Sequence, residues 1–169
     1  MTRTAEYYIQ KLNLAPHPEG GYFKEIYRSA GVISADCLAE EYGGNRNFCT
    51  LIYFLLKGNN ISAMHRLRSD EIWHFYDGCP VQIISINEKG ILNEIILGKD
   101  LSKGESFQAV IPKNSWFGAE LADKKSFALI GCTVSPGFEF EDFEIGKRKD
   151  LLKNFPEFER KIKNLTIAE

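Results

Sequence analysis

His65, Glu71 and His74 lie within one β-rich run, Ser62-Ala63-Met64-His65-Arg66-Leu67-Arg68-Ser69-Asp70-Glu71-Ile72-Trp73-His74-Phe75-Tyr76-Asp77-Gly78. An imidazole beside a carboxylate supports two chemistries. The carboxylate fixes the histidine tautomer and raises its basicity, as a general base requires. With further donors, the same groups hold a first-row metal at about 2.0–2.2 Å. A carboxylate among apolar residues is costly to bury alone, so Glu71 calls for a partner, either His65 or an arginine such as Arg28, Arg46, Arg66 or Arg68.

Strand geometry decides which of these side chains share a face. Side chains alternate with period two, so Glu71, Trp73 and Phe75 fall together, and Ile72, His74 and Tyr76 fall opposite. If Glu71 points inward, His74 points outward unless a bulge intervenes. Asp70-Glu71-Ile72-Trp73-His74 superficially matches the zinc-protease string His-Glu-x-x-His, but Asp70 replaces the first His. Its surroundings also read as strand, not the helix that puts both imidazoles on one face. The four cysteines, Cys37, Cys49, Cys79 and Cys132, are widely spaced without a Cys-x-x-Cys pair, giving little support to structural zinc. Cys49 and Cys132 lie in apolar runs and read as core residues.

The elements that must position this chemistry are mostly strands. Short β-rich runs at 49–57, 61–67, 71–77, 80–86, 91–97, 106–111, 116–121 and 126–134 follow one another, separated by tight-turn strings such as Lys57-Gly58-Asn59-Asn60 and Asn87-Glu88-Lys89-Gly90. Eight or more short strands argue for a sandwich or barrel. Tyr22 to Arg28 reads as a further strand, entered through the turn Glu19-Gly20-Gly21, and residues 29–46 read as a loop. Ala5, Tyr8, Ile9 and Leu12 predict a helix over about 3–13, capped by Thr2 or Thr4. A second helical stripe, Leu151, Leu152, Phe155, Phe158, Ile162 and Leu165, is broken at Pro156 and predicts a tail over about 147–166 packed on the barrel.

Composition narrows the function classes. At 169 residues the chain reads as a single domain. Its net charge of -2 offers no basic footprint for nucleic acid and no polybasic membrane surface. The apolar run Leu51 to Leu56 falls well short of the roughly 20 residues a membrane-spanning helix needs. Residues 1–7 contain no apolar segment of a secretion signal, which points to a cytoplasmic protein with free thiols.

His65, Glu71 and Gly78 match the first His, the Glu and the Gly of the first metal-binding motif of the cupin superfamily. Leu67 stands at the second His of that motif. The second motif is similar to Pro112-Lys113-Asn114-Ser115-Trp116-Phe117, with Phe117 at its His. Neither Leu67 nor Phe117 can donate a lone pair. Over residues 20–145 the chain resembles cupins, and it looks closest to a small uncharacterised single-domain subfamily. The subfamily resemblance rests on His17-Pro18-Glu19-Gly20-Gly21-Tyr22-Phe23, Ser69-Asp70-Glu71-Ile72-Trp73-His74, Ile111-Pro112 through Trp116-Phe117-Gly118-Ala119, Ser135-Pro136-Gly137-Phe138 and Asp142-Phe143-Glu144. It implies a mainly β fold, a double-stranded β-helix or jelly-roll barrel with short terminal helices, usually as a homodimer. It also suggests kinship with metal-independent sugar-nucleotide 3,5-epimerases, whose barrel His maps to His65, whereas their substrate-binding Arg falls at Ser62 and their Tyr has no counterpart in Cys132-Thr133-Val134-Ser135-Pro136.

The reading that follows is a metal-independent cupin binding a small polar organic ligand, such as a carbohydrate or nucleotide derivative, inside the barrel. For an epimerase-like enzyme, His65 is assigned as general base and Glu71 as its orienting partner, with Trp73, Gln108, Trp116 and His74 against the ligand. The alternatives are a metal-dependent cupin holding iron, zinc or manganese on His65, Glu71 and His74, and a binding or structural module without turnover.

Overall fold

The computed structural model describes residues 3–167. Thr4 accepts a hydrogen bond from the Tyr7 amide and caps α1 (Ala5–Leu12); Thr2, the other candidate cap, lies outside the described residues. Among the described residues thirteen strands follow in three sheets: β1 (Ala15–Pro16), β2 (Tyr22–Arg28), β3 (Val32–Ile33), β4 (Arg46–Asn47), β5 (Thr50–Lys57), β6 (Ile61–Leu67), β7 (Asp70–Gly78), β8 (Val81–Ile86), β9 (Leu92–Leu97), β10 (Gln108–Ile111), β11 (Trp116–Leu121), β12 (Phe127–Ser135) and β13 (Phe143–Ile145). The chain closes with α2 (Arg148–Asn154) and α3 (Glu159–Asn164), with a 3-10 turn at Pro156–Phe158 between them.

A six-stranded sheet in the order β1-β2-β5-β12-β7-β10 faces a five-stranded sheet in the order β13-β6-β11-β8-β9. The strand ladders that join neighbours are antiparallel, and this two-sheet jelly roll is the architecture expected from the run of short strands. Residues 29–46, read as a loop, also contain the two-residue pairing of β3 with β4 and two 3-10 turns.

Alternation places one side of each strand in the core between the sheets. Phe54, Leu67, Trp73, Ile83, Phe117 and Ile130 meet there. Burying large side chains of this kind contributes about 1.5–3 kcal/mol each. The opposite side of β6, β8 and β11 carries Met64, Ile84, Ile86 and Trp116, which α2 and α3 cover with Leu151, Phe155, Ile162 and Leu165. The helical stripe read from the tail is thus the stripe that packs on the barrel. On the other sheet, α1 lays Ala5 and Tyr8 over Leu55 and Leu129, and the Tyr8 hydroxyl donates to Asp77 Oδ2 at 2.6 Å. Cys132 belongs to the core; Cys49 is half-buried, unlike the core position expected from its apolar run.

One buried ion pair ties a long connection down. Arg46 Nε and Nη2 donate to Asp142 Oδ2 and Oδ1 at 2.6 and 2.7 Å, joining β4 to the turn that precedes β13.

Candidate functional site

β7 delivers Glu71 to the interior because its alternation holds through the first five positions. Glu71 and Trp73 are buried, Ile72 and His74 are half-buried on the other face, and the register slip against β12 comes only after His74, between Phe75 and Asp77. On β6 the same rule turns Met64 toward the tail and His65 inward. Phe117, paired in register with His65, lays its ring 4.0 Å from the imidazole centroid.

The third contributor is the β1–β2 hairpin. Pro16 pairs with Tyr22, His17 donates its amide to the Gly21 carbonyl, and Gly20 and Gly21 take φ of +110° and +67°. That left-handed backbone suits glycine. It lets the loop press against β6, where Ala63 donates its amide to the Glu19 carbonyl at 2.8 Å. The Glu19 side chain then enters the barrel.

Glu19 Oε1 accepts from Ser62 Oγ at 2.7 Å, and Glu19 Oε2 lies 3.2 Å from His65 Nε2. His65 Nδ1 is 2.7 Å from the Ala63 carbonyl oxygen, which can only accept, so that nitrogen carries the proton. The carboxyl partner of His65 is therefore Glu19, in place of the Glu71 expected from sequence. Both ring nitrogens are engaged. His17 Nδ1 accepts the Glu19 amide at 3.3 Å and lies 3.6 Å from Glu19 Oε2.

Burial dominates the electrostatics. It pushes Glu19 up to about 8, against the opposing pull of the Ser62 hydrogen bond. It pushes Glu71 up to about 7, with His65 drawing it down and Glu19 adding to the rise. It draws His65 below its ordinary value, with Glu71 and the Ala63 carbonyl working the other way. His17 falls to about 4 through burial and then the repulsion of His65. Glu19 and His65 are close enough for an ion pair, yet burial moves both toward their neutral forms. We assign a neutral pair in which the Glu19 carboxyl donates to His65 Nε2, because two desolvated charges cost more than one shared proton. Cys132, beside Glu71, has its thiol raised well above the ordinary range by burial and the carboxylates, so it is no ready nucleophile.

These groups line a cavity of about 100 Å³ whose walls include Phe23, Phe54, Phe138 and Phe143. Glu71 Oε2 is buried there without a hydrogen-bond donor, and the Trp73 indole N–H, also buried, lacks an acceptor. The Trp73 indole and the Cys132 thiol both lie close enough to lower the Glu71 pKa, but neither meets Oε2 at hydrogen-bond geometry. None of the four arginines considered as partners meets Glu71. Arg28 sits at the rim with Glu25 and Glu139, Arg46 and Arg68 go to Asp142, and Arg66 goes to Glu144.

The remaining sequence candidates fall outside the cavity. His74 Nε2 meets Thr133 Oγ1 at 3.1 Å and His74 Nδ1 meets the Gln108 amide at 3.1 Å, both on the outer face of the six-stranded sheet. Trp116 packs with the tail, the Arg66 guanidinium 4.6 Å above its ring. Trp73 lies beneath Glu71, with its ring 5.9 Å from Phe54 and 6.3 Å from Phe117.

A family model described as Cupin superfamily (DUF985) matches residues 6–146, and the chain belongs to that family. An uncharacterised protein of Saccharomyces cerevisiae is 31% identical over 154 residues, 86% of this chain and 77% of its own length. A hypothetical protein from Leishmania major superimposes with a TM-score of 0.89 at 35% identity, covering 98% of this chain and all of that one. A Shewanella oneidensis protein gives 0.90 at 35% identity, over 99% of this chain and all of that one. Oxalate decarboxylase of Bacillus subtilis shares the fold at a TM-score of 0.53 and 16% identity, over 91% of this chain and 37% of that one.

Cupins include metal proteins, and the Bacillus subtilis oxalate decarboxylase has manganese(II) centres. A transition metal does not fit the donor set here. Leu67 and Phe117 occupy two ligand positions of the motifs, His74 faces away, and Glu19 takes His65 Nε2. Among the described residues no group of three His, Cys, Asp or Glu converges in a metal-binding arrangement. Among them, too, no helix is long and apolar enough to cross a membrane.

Proposed function

We propose that this cupin binds a small organic molecule in the cavity between the sheets, without a metal, through a hydrogen bond to Glu71. The observation that carries the reading is the unpartnered Glu71 Oε2 at the buried end of an aromatic-walled space. A desolvated acceptor without a donor costs about 1–3 kcal/mol, and a ligand that supplies the donor recovers that cost.

An epimerase-like role for His65 as the proton-abstracting base has less support, since a base needs a free lone pair and both its nitrogens are engaged. A nucleotide derivative has less support than an uncharged molecule. The Arg28 donors at the rim are already occupied, leaving no cation for a phosphate. His65 and Glu19 act in this reading as a positioning pair that holds the closed end of the cavity.

Titration of the isotope-labelled protein with butan-1-ol and propane-1,2-diol, followed by amide chemical shifts, tests the reading. Shifts clustered at Glu71, Cys132 and Phe143 are expected, and their loss in Cys132→Phe, which fills the space. Shifts confined to the outer faces would overturn it. The same proposal includes a two-fold homodimer in the cytoplasm, in keeping with the exposed Ile26 and Tyr27 on β2. Sedimentation at micromolar concentration that finds only a 19.2 kDa species would reject the dimer.

A further inference from the structure

We propose that the ligand is a primary alkylammonium ion, with its N–H groups on Glu71 and its chain among the phenylalanine rings; this rests on the reading of the cavity as a ligand site. Two observations at the carboxyls point to positive charge, and a third, the wall, points to an apolar chain.

The first is the orphaned acceptor. Glu71 is 6% exposed, it lines the cavity, and its Oε2 has no donor. An ammonium group brings both the missing N–H and the counter-charge that makes an ionised buried carboxylate tolerable.

The second is the charge of the lining. Glu19 is neutral in its pair with His65, so Glu25, Glu71 and Glu139 contribute three carboxylates, and among the described residues Arg28 contributes the one guanidinium. Arg28 is fully spent. Its Nε and Nη2 donate to Glu25 at 3.1 and 2.8 Å, its Nη1 donates to Glu139 and Asn47 at 2.6 and 3.0 Å, and Nη2 also donates to the Phe138 carbonyl at 3.1 Å. A guanidinium has five N–H donors, and all five are taken. An anionic ligand therefore meets carboxylates and no available cation.

The third is the wall. Phe138, Phe140 and Phe143 form a ring cluster with centroids 5.1, 6.1 and 6.3 Å apart, and all three line the cavity. Such a wall suits an alkyl chain whose charged end lies at Glu71. The space of about 100 Å³ is smaller than the roughly 150 Å³ that holds benzene in an engineered apolar cavity, so it takes a short unbranched chain.

The groups that face Glu71 set its response to pH: His65 from β6, Glu19 from the hairpin, and Cys132 and Trp73 from β12 and β7. Alkaline conditions ionise Glu71 and favour the cation.

The test compares n-butylammonium, butan-1-ol and butanoate, equal in length and differing in charge, by amide shifts of the labelled full chain. At about pH 8 the amine is still cationic, and it is expected to bind about tenfold tighter than the alcohol, with butanoate weaker than both. Glu71→Gln should bring the amine to the level of the alcohol. A wild-type series at about pH 5.5, where Glu71 is protonated, should do the same without any substitution. Alcohol binding equal to the amine at pH 8, or an amine preference unchanged at pH 5.5, overturns the cation assignment and leaves the cavity reading intact. If no probe shifts the cavity amides, both readings fall.

Discussion

Phe117 lies against His65 with ring centroids 4.0 Å apart and planes tilted by 55°, and the two residues are partners in the β6–β11 ladder. An aromatic ring thus presses on the imidazole from the position where the cupin motif places a metal-binding histidine. The imidazole that would be a ligand in a metal cupin is here flanked by phenylalanines, with Phe143 at 5.3 Å on the neighbouring strand β13, and hydrogen-bonded to Glu19.

Metal content follows from that arrangement. Protein expressed with added manganese, zinc and iron should carry well under one equivalent of each, because Leu67 and Phe117 stand at two ligand positions and Glu19 takes His65 Nε2. Elemental analysis reads this directly. A full equivalent that is lost in Glu71→Ala would contradict it.

Stability should fall as pH rises above neutrality. Glu19 and Glu71 have folded pKa values of about 8 and 7 against an ordinary value of 4.5, so across that interval the native state keeps protons that the unfolded chain has released. Stability then decreases with pH. His17 works oppositely. Its folded value of about 4 against 6.5 makes stability rise with pH between those limits, and above 6.5 the opposition ends. The net slope is therefore downward from about pH 6.5 to 8. Glu71→Gln should flatten this limb and gain about 1–3 kcal/mol at pH 8 relative to wild type. Urea midpoints at several pH values would show it, and a wild-type midpoint that climbs over the same range would contradict it.

Breaking the Arg46–Asp142 pair should cost far more than losing a surface bridge. Asp142→Asn leaves a guanidinium that is 2% exposed with only the solvent-exposed Glu141 carboxylate, 3.7 Å away, as counter-charge, and about 3–5 kcal/mol is the usual loss for a broken buried pair. Arg46→Lys should recover little, since an ammonium cannot make the bidentate contact. Chemical denaturation of the two variants distinguishes this from a bridge worth less than about 1 kcal/mol, as exposed pairs are.

Gly20→Ala should damage the site as well as the fold. Its φ of +110° is strained for any L side chain, and an added Cβ would collide with the Ile61 carbonyl. A loss of about 1–3 kcal/mol is expected. The imidazole signals of His65 should also shift, because the hairpin that carries Glu19 has to move. An unchanged His65 environment would show that Glu19 is held independently of the hairpin.

Local rules made part of this legible in the chain. Strand alternation from Glu71 to Phe75 correctly separates Glu71 from His74, since nothing disturbs the pleat until after His74. The tail stripe from Leu151 to Leu165 obeys helical period, with Pro156 at the break. Glu19 and His17 escaped such reasoning. They sit in a glycine turn whose approach to β6 is a tertiary fact, and only the specificity of the string His17-Pro18-Glu19-Gly20-Gly21 hinted that it was more than a turn. Alternation applied to β11 and β10 would have placed Trp116 opposite Phe117 and aligned Gln108 with His74 on the outer face.

The β6 strand has one more dependency. The Met64 amide donates to the Leu165 carbonyl at 2.6 Å, and the Met64 carbonyl accepts from the Gly146 amide at 2.7 Å. Residues that leave the ribosome long after His65 thus complete the strand that bears it. During vectorial synthesis the barrel can begin to collapse early, but β6 cannot complete its backbone hydrogen bonds at Met64 until the tail docks.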